Sequence, residues 1–308
     1  MHAEKFSEIY YQAVCQDGAG FYALKPGFRK DVQEFYANEY FQNDSACYQK
    51  TDYDPIDMEH KRNCFAQKIM ILDRLSTEWG QFNPKRFLDI GCGEGFALSY
   101  FDEMGWDVTG IDLTAYALDL HNPHMRSHFL QGDISETIEK LVSAGRIFDF
   151  LNLDNVFEHV PEPQKLLADM KRLCKKDSII CIQVPNDFSL MQRLADQMGQ
   201  IDRPFWVTEK TCEHINYFSV ESLTKLGESL GYEKVFATAD WPIDFFLLNP
   251  ASNYYRNKKL GHDCHIACAA LENALCRQSM ERALDLHTAL ADAGIGRSVS
   301  VYFKPHFI

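Results

Sequence analysis

The sequence predicts an α/β fold in which strands and helices alternate around a mostly parallel sheet. The first observation is the segment 87–98, FLDIGCGEGFAL, where a short apolar run is followed by three glycines and the start of an amphipathic helix. The second is that further apolar runs follow at intervals, with helical patterns between them. A strand, a glycine-rich turn and a helix in this order form a common binding site for nucleotide-like molecules in α/β proteins.

The apolar runs predict seven strands in all. We expect five of them near residues 86–90, 107–111, 127–131, 147–153 and 178–184, a sixth at 235–239 and a seventh at 298–303. The helical pattern of apolar residues indicates helices between these strands, and the clearest cover residues 55–79, 163–174, 221–230 and 267–291. The Gly294-Ile295-Gly296 segment provides a turn into the last strand.

The spacing of the glycines indicates which kind of nucleotide the turn would bind. Gly91, Gly93 and Gly95 stand at alternate positions, and Phe96 lies where the dinucleotide fingerprint GxGxxG requires its third glycine. No Lys-Ser or Lys-Thr pair follows, which excludes a phosphate-binding P-loop. The spacing therefore disfavours a nicotinamide-dependent enzyme.

With Asp89 as its acid, the pattern acid-x-Gly-x-Gly-x-Gly resembles motif I of the class I S-adenosylmethionine-dependent methyltransferases. The segment 148–163, FDFLNLDNVFEHVPEP, is similar to the fourth-strand region of ubiquinone-biosynthesis-type and type 23 methyltransferases. The resemblance implies a Rossmann-like sheet of six parallel strands and an antiparallel seventh. It also implies S-adenosyl-L-methionine as cofactor and S-adenosyl-L-homocysteine as product.

Acids at strand ends are the remaining candidates for cofactor binding. Asp112, followed by Leu113, ends the second strand, where a carboxylate can accept hydrogen bonds from both ribose hydroxyls. The resemblance adds Asp133 as a partner of the adenine amine, and Asn155 after the fourth strand. An Asp at a strand end is also a common helix cap, so this alternative stays open.

Two histidines are candidates for the general base that methyl transfer to a protonated acceptor needs. His159 follows the fourth strand, where the methyl end of the cofactor is expected. His214 lies in CEHINYFS, which resembles an EH-x-NYFS motif of a subgroup of class I enzymes. Each histidine has a purely structural alternative, His159 in shaping its loop and His214 in anchoring the next helix. The acceptor-binding candidates around them are Glu158, Asn186, Asp187, Glu213, Asn216 and Tyr217.

Composition limits the possible partners and the compartment. The formal net charge is −13 and the sequence pI is about 5.3, so a nucleic-acid substrate is disfavoured. We expect no membrane-spanning segment, because no window of the sequence approaches 18 apolar residues. We expect a cytoplasmic location, because the ten cysteines are irregularly spaced and many lie in apparent core segments. We predict no metal site, since the HxCHxxC run at 262–268 lacks the second separated pair typical of structural zinc.

The chain divides into four predicted regions. Residues 1–80 form an aromatic-rich, helical and looped extension, and residues 81–240 form the cofactor-binding core. Residues 241–294 form a helical insert between strands six and seven, which we expect to cap the active site or to form a homodimer surface. Residues 295–308 return to the core as its last strand.

The predicted function is methyl transfer from S-adenosylmethionine to a small or medium polar acceptor. The EHINYFS and VPNDFS segments favour a hydroxyl of a saccharide or secondary metabolite, by analogy with the family. Methylation of nitrogen or carbon and a catalytically silent cofactor-binding subunit are the alternatives.

Overall fold

A computed structural model describes residues 14–18, 20–25, 53–75, 85–187, 189–201 and 214–307. Their main sheet has seven strands, in the order β5-β4-β3-β6-β7-β10-β9. The bounds are β3 (Arg86–Ile90), β4 (Asp107–Asp112), β5 (Phe129–Gln131), β6 (Phe148–Asp154), β7 (Cys174–Pro185), β9 (Tyr232–Ala239) and β10 (Ser298–Pro305).

The predicted topology is confirmed. Strands β3 to β7 pair in parallel, and β10 runs antiparallel between β7 and β9. Val301 of β10 lies opposite Ile182 on one side and Ala237 on the other. The central strands are apolar on both faces because helices cover both sides of the sheet.

Nine α-helices are assigned within the described residues: α1 (Pro55–Leu75), α2 (Phe96–Glu103), α3 (Tyr116–His121), α4 (Ile134–Ser143), α5 (Pro163–Lys171), α6 (Leu190–Gln197), α7 (Val220–Ser229), α8 (Gly261–Gln278) and α9 (Met280–Asp292). The prediction of one long helix over 267–291 is wrong. Ser279 is extended, at φ −167°, and its side chain accepts a hydrogen bond from the Arg282 amide, so it ends α8 and caps α9.

Helix α1 packs against the helical insert. It begins at Asp54-Pro55, where the Asp54 carboxylate accepts a hydrogen bond from the Ile56 amide and proline suits the first helical position. In the contact with α8 and α9, the Glu272 carboxylate lies 3.5 Å from His60 and 3.1 Å from His287. These buried polar contacts fix the insert against the N-terminal helix.

A second, three-stranded sheet joins the N-terminus to the segment after β7. Strands β1 (Val14–Gln16) and β2 (Tyr22–Leu24) form a hairpin, and β2 pairs with β8 (Asn216–Tyr217). The extension was predicted to be helical and looped, and in the described residues this hairpin corrects that prediction. Strands of two or three residues are too short for an alternating pattern to show in the sequence.

The two faces of the main sheet carry separate apolar clusters. In β3, Phe87 packs on the face covered by α1 and α2, while Leu88 and Ile90 pack on the opposite face. Asp89 shares the face of Phe87, because side chains two positions apart point the same way. In the part of the chain that the structure describes, none of the helices has the combination of length and hydropathy that a membrane span requires.

Candidate cofactor and acceptor site

The glycine turn lies at the carboxyl end of β3 and leads into α2. The amides of Gly91 and Cys92 both donate to the Ile111 carbonyl of β4, at 2.8 and 3.0 Å. Gly91 has φ +73°, and a Cβ there would lie 2.3 Å from Cγ2 of Val156. Gly93 has φ +49° and open space around its Cα. The first glycine therefore permits close packing, and the second leaves room beside the turn.

This turn borders a cavity of about 350 Å³, a size within the range of small-molecule sites. The loops after β3, β4, β5 and β6 form most of its wall, as expected for ligand binding at strand ends. Every residue predicted to bind the cofactor lines it: Asp89, Gly91, Gly93, Gly95, Asp112, Leu113, Asp133 and Asn155. Their binding roles remain predictions, but the structure brings them all to one cavity.

Asp112 is held by the backbone. Its Oδ2 accepts a hydrogen bond from the Gly93 amide at 2.9 Å. Burial raises the pKa of this carboxyl, while the hydrogen bonds from the amides of Gly93, Thr114 and Leu113 oppose the shift. The carboxylate is thus fixed beside the glycine turn, in the position predicted for an acceptor of ribose hydroxyls.

Asp89 belongs to a buried polar network. Its Oδ1 accepts a hydrogen bond from Nδ2 of Asn152 at 2.8 Å, and Oδ1 of Asn152 accepts from Nζ of Lys68 at 2.7 Å. Lys68 also forms an ion pair with Asp154 at 2.5 Å. Burial raises the pKa of Asp89 to about 7; the Asp154 carboxylate adds to the rise, and Asn152 and Lys68 oppose it. The sequence analysis missed Lys68 and Asn152.

Asp133 and Asn155 complete the predicted cofactor set. Asp133 caps α4, since its side chain accepts a hydrogen bond from the Glu136 amide at 3.1 Å, and it also lines the cavity. The capping alternative and the cavity position therefore coexist. Asn155 has φ +55°, a conformation that asparagine tolerates better than most residues, and its amide donates to the Gln183 carbonyl.

A second polar group at the cavity lies outside the predictions. Glu94 of the glycine turn receives a short hydrogen bond from the Tyr53 hydroxyl and lies 3.8 Å from Nζ of Lys61 and 3.7 Å from Nε2 of His121. The Tyr53 and Phe96 rings meet edge to face at 5.2 Å. These residues join α1 and α3 across the turn. Only the tertiary fold brings them together, so no local motif predicts the group.

Glu158, His159 and His214 form one cluster behind the cavity wall. Nε2 of His159 lies 3.6 Å from Oε1 of Glu158, and Nε2 of His214 lies 4.0 Å from the same oxygen. The two imidazole rings meet edge to face at 4.8 Å. Only His159 of the three lines the cavity. The two histidines singled out in distant segments are therefore neighbours in the fold.

The protonation preferences of this cluster follow from burial. Glu158 is 1% exposed, and neither oxygen of its carboxylate receives a hydrogen bond from another described residue. Burial raises its pKa to about 8, and the charges of Asp187 and Asp154 act in the same direction. Burial lowers the pKa of His214 to about 3, helped by His159 and Arg297. His214 is therefore neutral near pH 7.

The same cluster contains a possible set of metal ligands, which the sequence analysis did not predict. One ligand atom from each of Glu158, His159 and His214 lies within 4.8 Å of the others. A carboxylate and two imidazoles suit several divalent transition metals.

The other predicted acceptor-binding side chains bond to nearby backbone. Nδ2 of Asn186 donates to the Gly296 carbonyl at 2.9 Å, Nδ2 of Asn216 donates to the Val160 carbonyl at 2.7 Å, and the Tyr217 hydroxyl donates to the His214 carbonyl at 2.8 Å. These bonds build the segments around the cluster. Burial raises the pKa of Asp187 to about 8. Glu213 lies outside the described residues.

A Rossmann-like sheet with a glycine turn and strand-end acids around one cavity defines a nucleotide-binding α/β protein. A family model described as a methyltransferase domain matches residues 58–236, more than half of the chain. The chain therefore belongs to this methyltransferase family, as a class I S-adenosylmethionine-dependent enzyme. S-adenosylmethionine as cofactor and S-adenosylhomocysteine as product, both predicted, are confirmed.

Curated relatives include enzymes named ubiquinone biosynthesis O-methyltransferase. The protein from Actinobacillus pleuropneumoniae is 32% identical over 121 residues, covering 37% of this chain and 52% of the relative. The protein from Dinoroseobacter shibae is 29% identical over 177 residues, covering 54% and 69%. The match thus spans about half the length of the first relative.

Among solved structures, the plantazolicin methyltransferase BpumL in complex with SAH is 16% identical. The comparison covers 89% of this chain and 98% of that one, with a TM-score of 0.49. A SAM-dependent methyltransferase from Archaeoglobus fulgidus is 18% identical, with coverages of 82% and 100% and a TM-score of 0.46.

The residues at the cavity suit the cofactor. Gly93 has no atom within 4 Å of the position of an added Cβ, so the backbone there is open to a close ligand. Asp112 offers a fixed carboxylate to hydroxyl groups, and Asp89 offers a second acid to a cationic group. The wall also supplies apolar surface through Phe96, Leu113 and other side chains. The combination fits a ligand with an adenosine part and a charged amino-acid part.

Proposed function

We propose that this protein transfers the methyl group of S-adenosylmethionine to a hydroxyl oxygen of a small or medium polar molecule, with His159 as the general base. The observation that carries the proposal is the position of His159. It lines the same cavity as the glycine turn and Asp112, and it has Glu158 and His214 directly behind it.

When bound, the cofactor would supply a methyl group on a positively charged sulfur, and an acceptor oxygen could bond to the methyl carbon as the carbon–sulfur bond breaks and the sulfur leaves as a neutral thioether. The chain has to align the acceptor and remove its proton, and alignment alone lowers the barrier substantially. His159 takes the hydroxyl proton at one ring nitrogen. An ionised Glu158, 3.6 Å from Nε2, stabilises the imidazolium that results.

The surroundings favour His159 over His214 as the base. The pKa of His214 is lowered to about 3, which makes it a weak proton acceptor, and His214 is absent from the cavity wall. A neutral His214 beside His159 limits the positive charge in the cluster. Since the pKa of Glu158 is raised to about 8, we expect turnover to increase as the pH rises towards that value.

The relatives favour oxygen as the methylated atom, because those reported above are named O-methyltransferases. Within that class we propose an acceptor hydroxyl on a saccharide or a secondary metabolite, on the basis of the EHINYFS and VPNDFS segments. The quinol-type acceptor implied by the names of the relatives is the competing oxygen substrate.

The test is methyl transfer from tritium-labelled S-adenosylmethionine to a panel of free sugars, nucleotide sugars, phenols, quinols and amines. With the best acceptor, His159→Gln should lower kcat by about 100- to 10,000-fold, the contribution of a general base, and change cofactor affinity little. His262→Gln, at an exposed histidine, is the matched control and should retain full activity.

Three results would contradict the proposal. Labelling of amines with none of hydroxyl compounds would replace oxygen by nitrogen as the acceptor atom. Wild-type turnover by His159→Gln would remove His159 from the reaction. Cofactor binding without labelling of any acceptor in the panel would favour the catalytically silent alternative.

A further inference from the structure

Lys68 is a buried cation in the N-terminal helix that no cofactor motif includes. It lies in α1 among apolar residues and is 4% exposed. Lysine is almost never fully buried unless it is paired. Its ammonium group contacts three side chains of the strands β6 and β7: Asn152 at 2.7 Å, Asp154 at 2.5 Å and Cys181 at 3.8 Å.

The register of the sheet explains why these side chains meet. Asp89 of β3 lies opposite Asn152 of β6, which in turn lies opposite Cys181 of β7. Residues in one register row of neighbouring parallel strands present their side chains on the same face. Lys68 therefore lies on the face of the sheet that carries this row of side chains, in which Asp89 is the acid of motif I.

We propose that Lys68 is a positioning residue for cofactor binding, which orients the Asn152 amide towards Asp89 and fixes the charge that Asp89 presents to the cavity. It acts through Asn152 and does not itself line the cavity as the structure describes it.

The orientation of Asn152 follows from donor and acceptor chemistry. An ammonium group only donates hydrogen bonds, so the group of Asn152 that faces Lys68 must be its carbonyl oxygen. The amide nitrogen is thereby directed to the other side, where it donates to Oδ1 of Asp89 at 2.8 Å. If Lys68 is replaced by a residue whose side chain cannot donate a hydrogen bond, the side-chain amide of Asn152 can adopt either orientation.

Lys68 also bears on the charge of Asp89. The titratable groups that face Asp89 are Lys68 from α1, Asp154 at the end of β6, Asp112 at the end of β4 and the Cys92 thiol in the glycine turn. Lys68 is the cation among them, and its charge opposes the effects of burial and of Asp154 on the pKa of Asp89. An ionised Asp89 suits the ammonium group of the cofactor's amino-acid part.

The test measures binding of S-adenosylhomocysteine by calorimetry at several pH values between about 6 and 9, with no acceptor present, so its outcome is independent of the acceptor proposed above. Lys68→Met should weaken binding by about tenfold or more near pH 7.5, because it leaves the buried Asp89 and the partly exposed Asp154 without their cation. It should also move the pH at which binding is half lost to a higher value. Lys68→Arg, which keeps the charge, should recover part of the affinity.

A second variant separates positioning from the loss of the ion pair. Asn152→Leu keeps Lys68 paired with Asp154 and removes the two hydrogen bonds of the Asn152 side chain, the one from Lys68 and the one to Asp89. Since Asp89 loses its donor, the variant should show the same direction of pH shift. It also decides the question if Lys68→Met does not fold. Lys225→Met, which removes an exposed ion pair with Glu221, is the matched control and should bind as the wild type does.

A merely structural role would lower the melting temperature without moving the pH midpoint of binding. Folded Lys68→Met or Asn152→Leu protein with wild-type affinity and an unchanged midpoint would overturn the proposal.

Discussion

The two sides of the site hold their acids in different ways. On the cofactor side, Asp89 accepts a hydrogen bond from Asn152, Asp112 accepts one from the Gly93 amide, and Asp133 caps α4. On the acceptor side, the carboxylate of Glu158 is buried and receives no hydrogen bond from another described residue. Both sides use carboxylates at strand ends, but only the first surrounds them with donors.

This difference matches the tasks proposed for the two sides. A cofactor of fixed shape is best bound by groups whose positions are settled before it arrives. Glu158 is proposed to stabilise the imidazolium of His159, and a carboxylate without hydrogen-bond donors leaves its charge to be balanced by that cation. The comparison indicates that a buried carboxylate without hydrogen-bond donors, such as that of Glu158, is the one to test for a role in the reaction.

The largest expected effect is on the cofactor side. Gly93→Arg should abolish measurable cofactor binding, because the new side chain extends from a backbone position that is open and borders the cavity. The control is Gly105→Arg, since Gly105 also has positive φ and open space but is not among the cavity-lining residues. Calorimetry with S-adenosylhomocysteine should show binding by the control alone. Equal binding by the two variants would place the cofactor elsewhere.

The next effect concerns stability on the acceptor side. The pKa of Glu158 is about 8 in the folded protein and near 4.5 when exposed. Between these values the folded state keeps a proton that the unfolded state has released, so the free energy of unfolding falls as the pH rises from about 4.5 to 8. The Glu158→Gln variant lacks this titration. Its free energy of unfolding should therefore fall by about 1–3 kcal/mol less than that of the wild type over the same pH range.

Urea unfolding at about pH 5.5 and pH 8.5 measures this difference. Asp187, with a pKa also raised to about 8, is present in both proteins, so the two measurements share its contribution apart from its interaction with Glu158. If the stability of Glu158→Gln and wild type fell in parallel, Glu158 would already be ionised in the folded state at the lower pH.

The smallest effect is expected at Asn155, between the two sides. Its φ of +55° is accessible to glycine and costs most other residues energy. Asn155→Ala should lower the free energy of unfolding by about 1 kcal/mol, whereas Asn155→Gly should differ from wild type by less. Thermal unfolding of the pair checks this. Equal losses would show that the Asn155 side chain, and not the backbone conformation, stabilises the loop.

Much of the fold could be predicted because its signals are local. Buried strands such as β3 and β6 are continuous apolar runs, and the glycine turn is a contiguous motif with a steric reason for its residues. The break at Ser279 was missed, since a serine inside a helical pattern is read as a tolerated residue until its extended backbone and cap are seen. The β1–β2 hairpin was missed because its strands are too short.

Only those parts of the site whose residues lie within one sequence segment could be predicted. Asp89 and Asp112 lie at the carboxyl ends of β3 and β4, and Asp133 comes just after β5. A parallel sheet brings these strand ends to one edge, so it implies the common location of the three acids. No local sequence pattern predicts the role of Lys68. Its contact with Asn152, and through Asn152 with Asp89, depends on the register of the sheet and on the packing of α1 against it. The cluster of His159 and His214 was anticipated as two separate candidates, and their contact depends on the packing of distant loops.

The pairing of Tyr22 in β2 with Tyr217 in β8 has a consequence for how the molecule is assembled. This pairing closes the long loop formed by the chain between Tyr22 and Tyr217. Closing a long loop costs chain entropy, and contacts between residues far apart in the sequence form slowly. During synthesis the ribosome releases β2 early, yet its partner strand becomes available only after most of the main sheet has emerged. The small sheet beside His214 is therefore completed late in folding, after the strands that carry the glycine turn have been made.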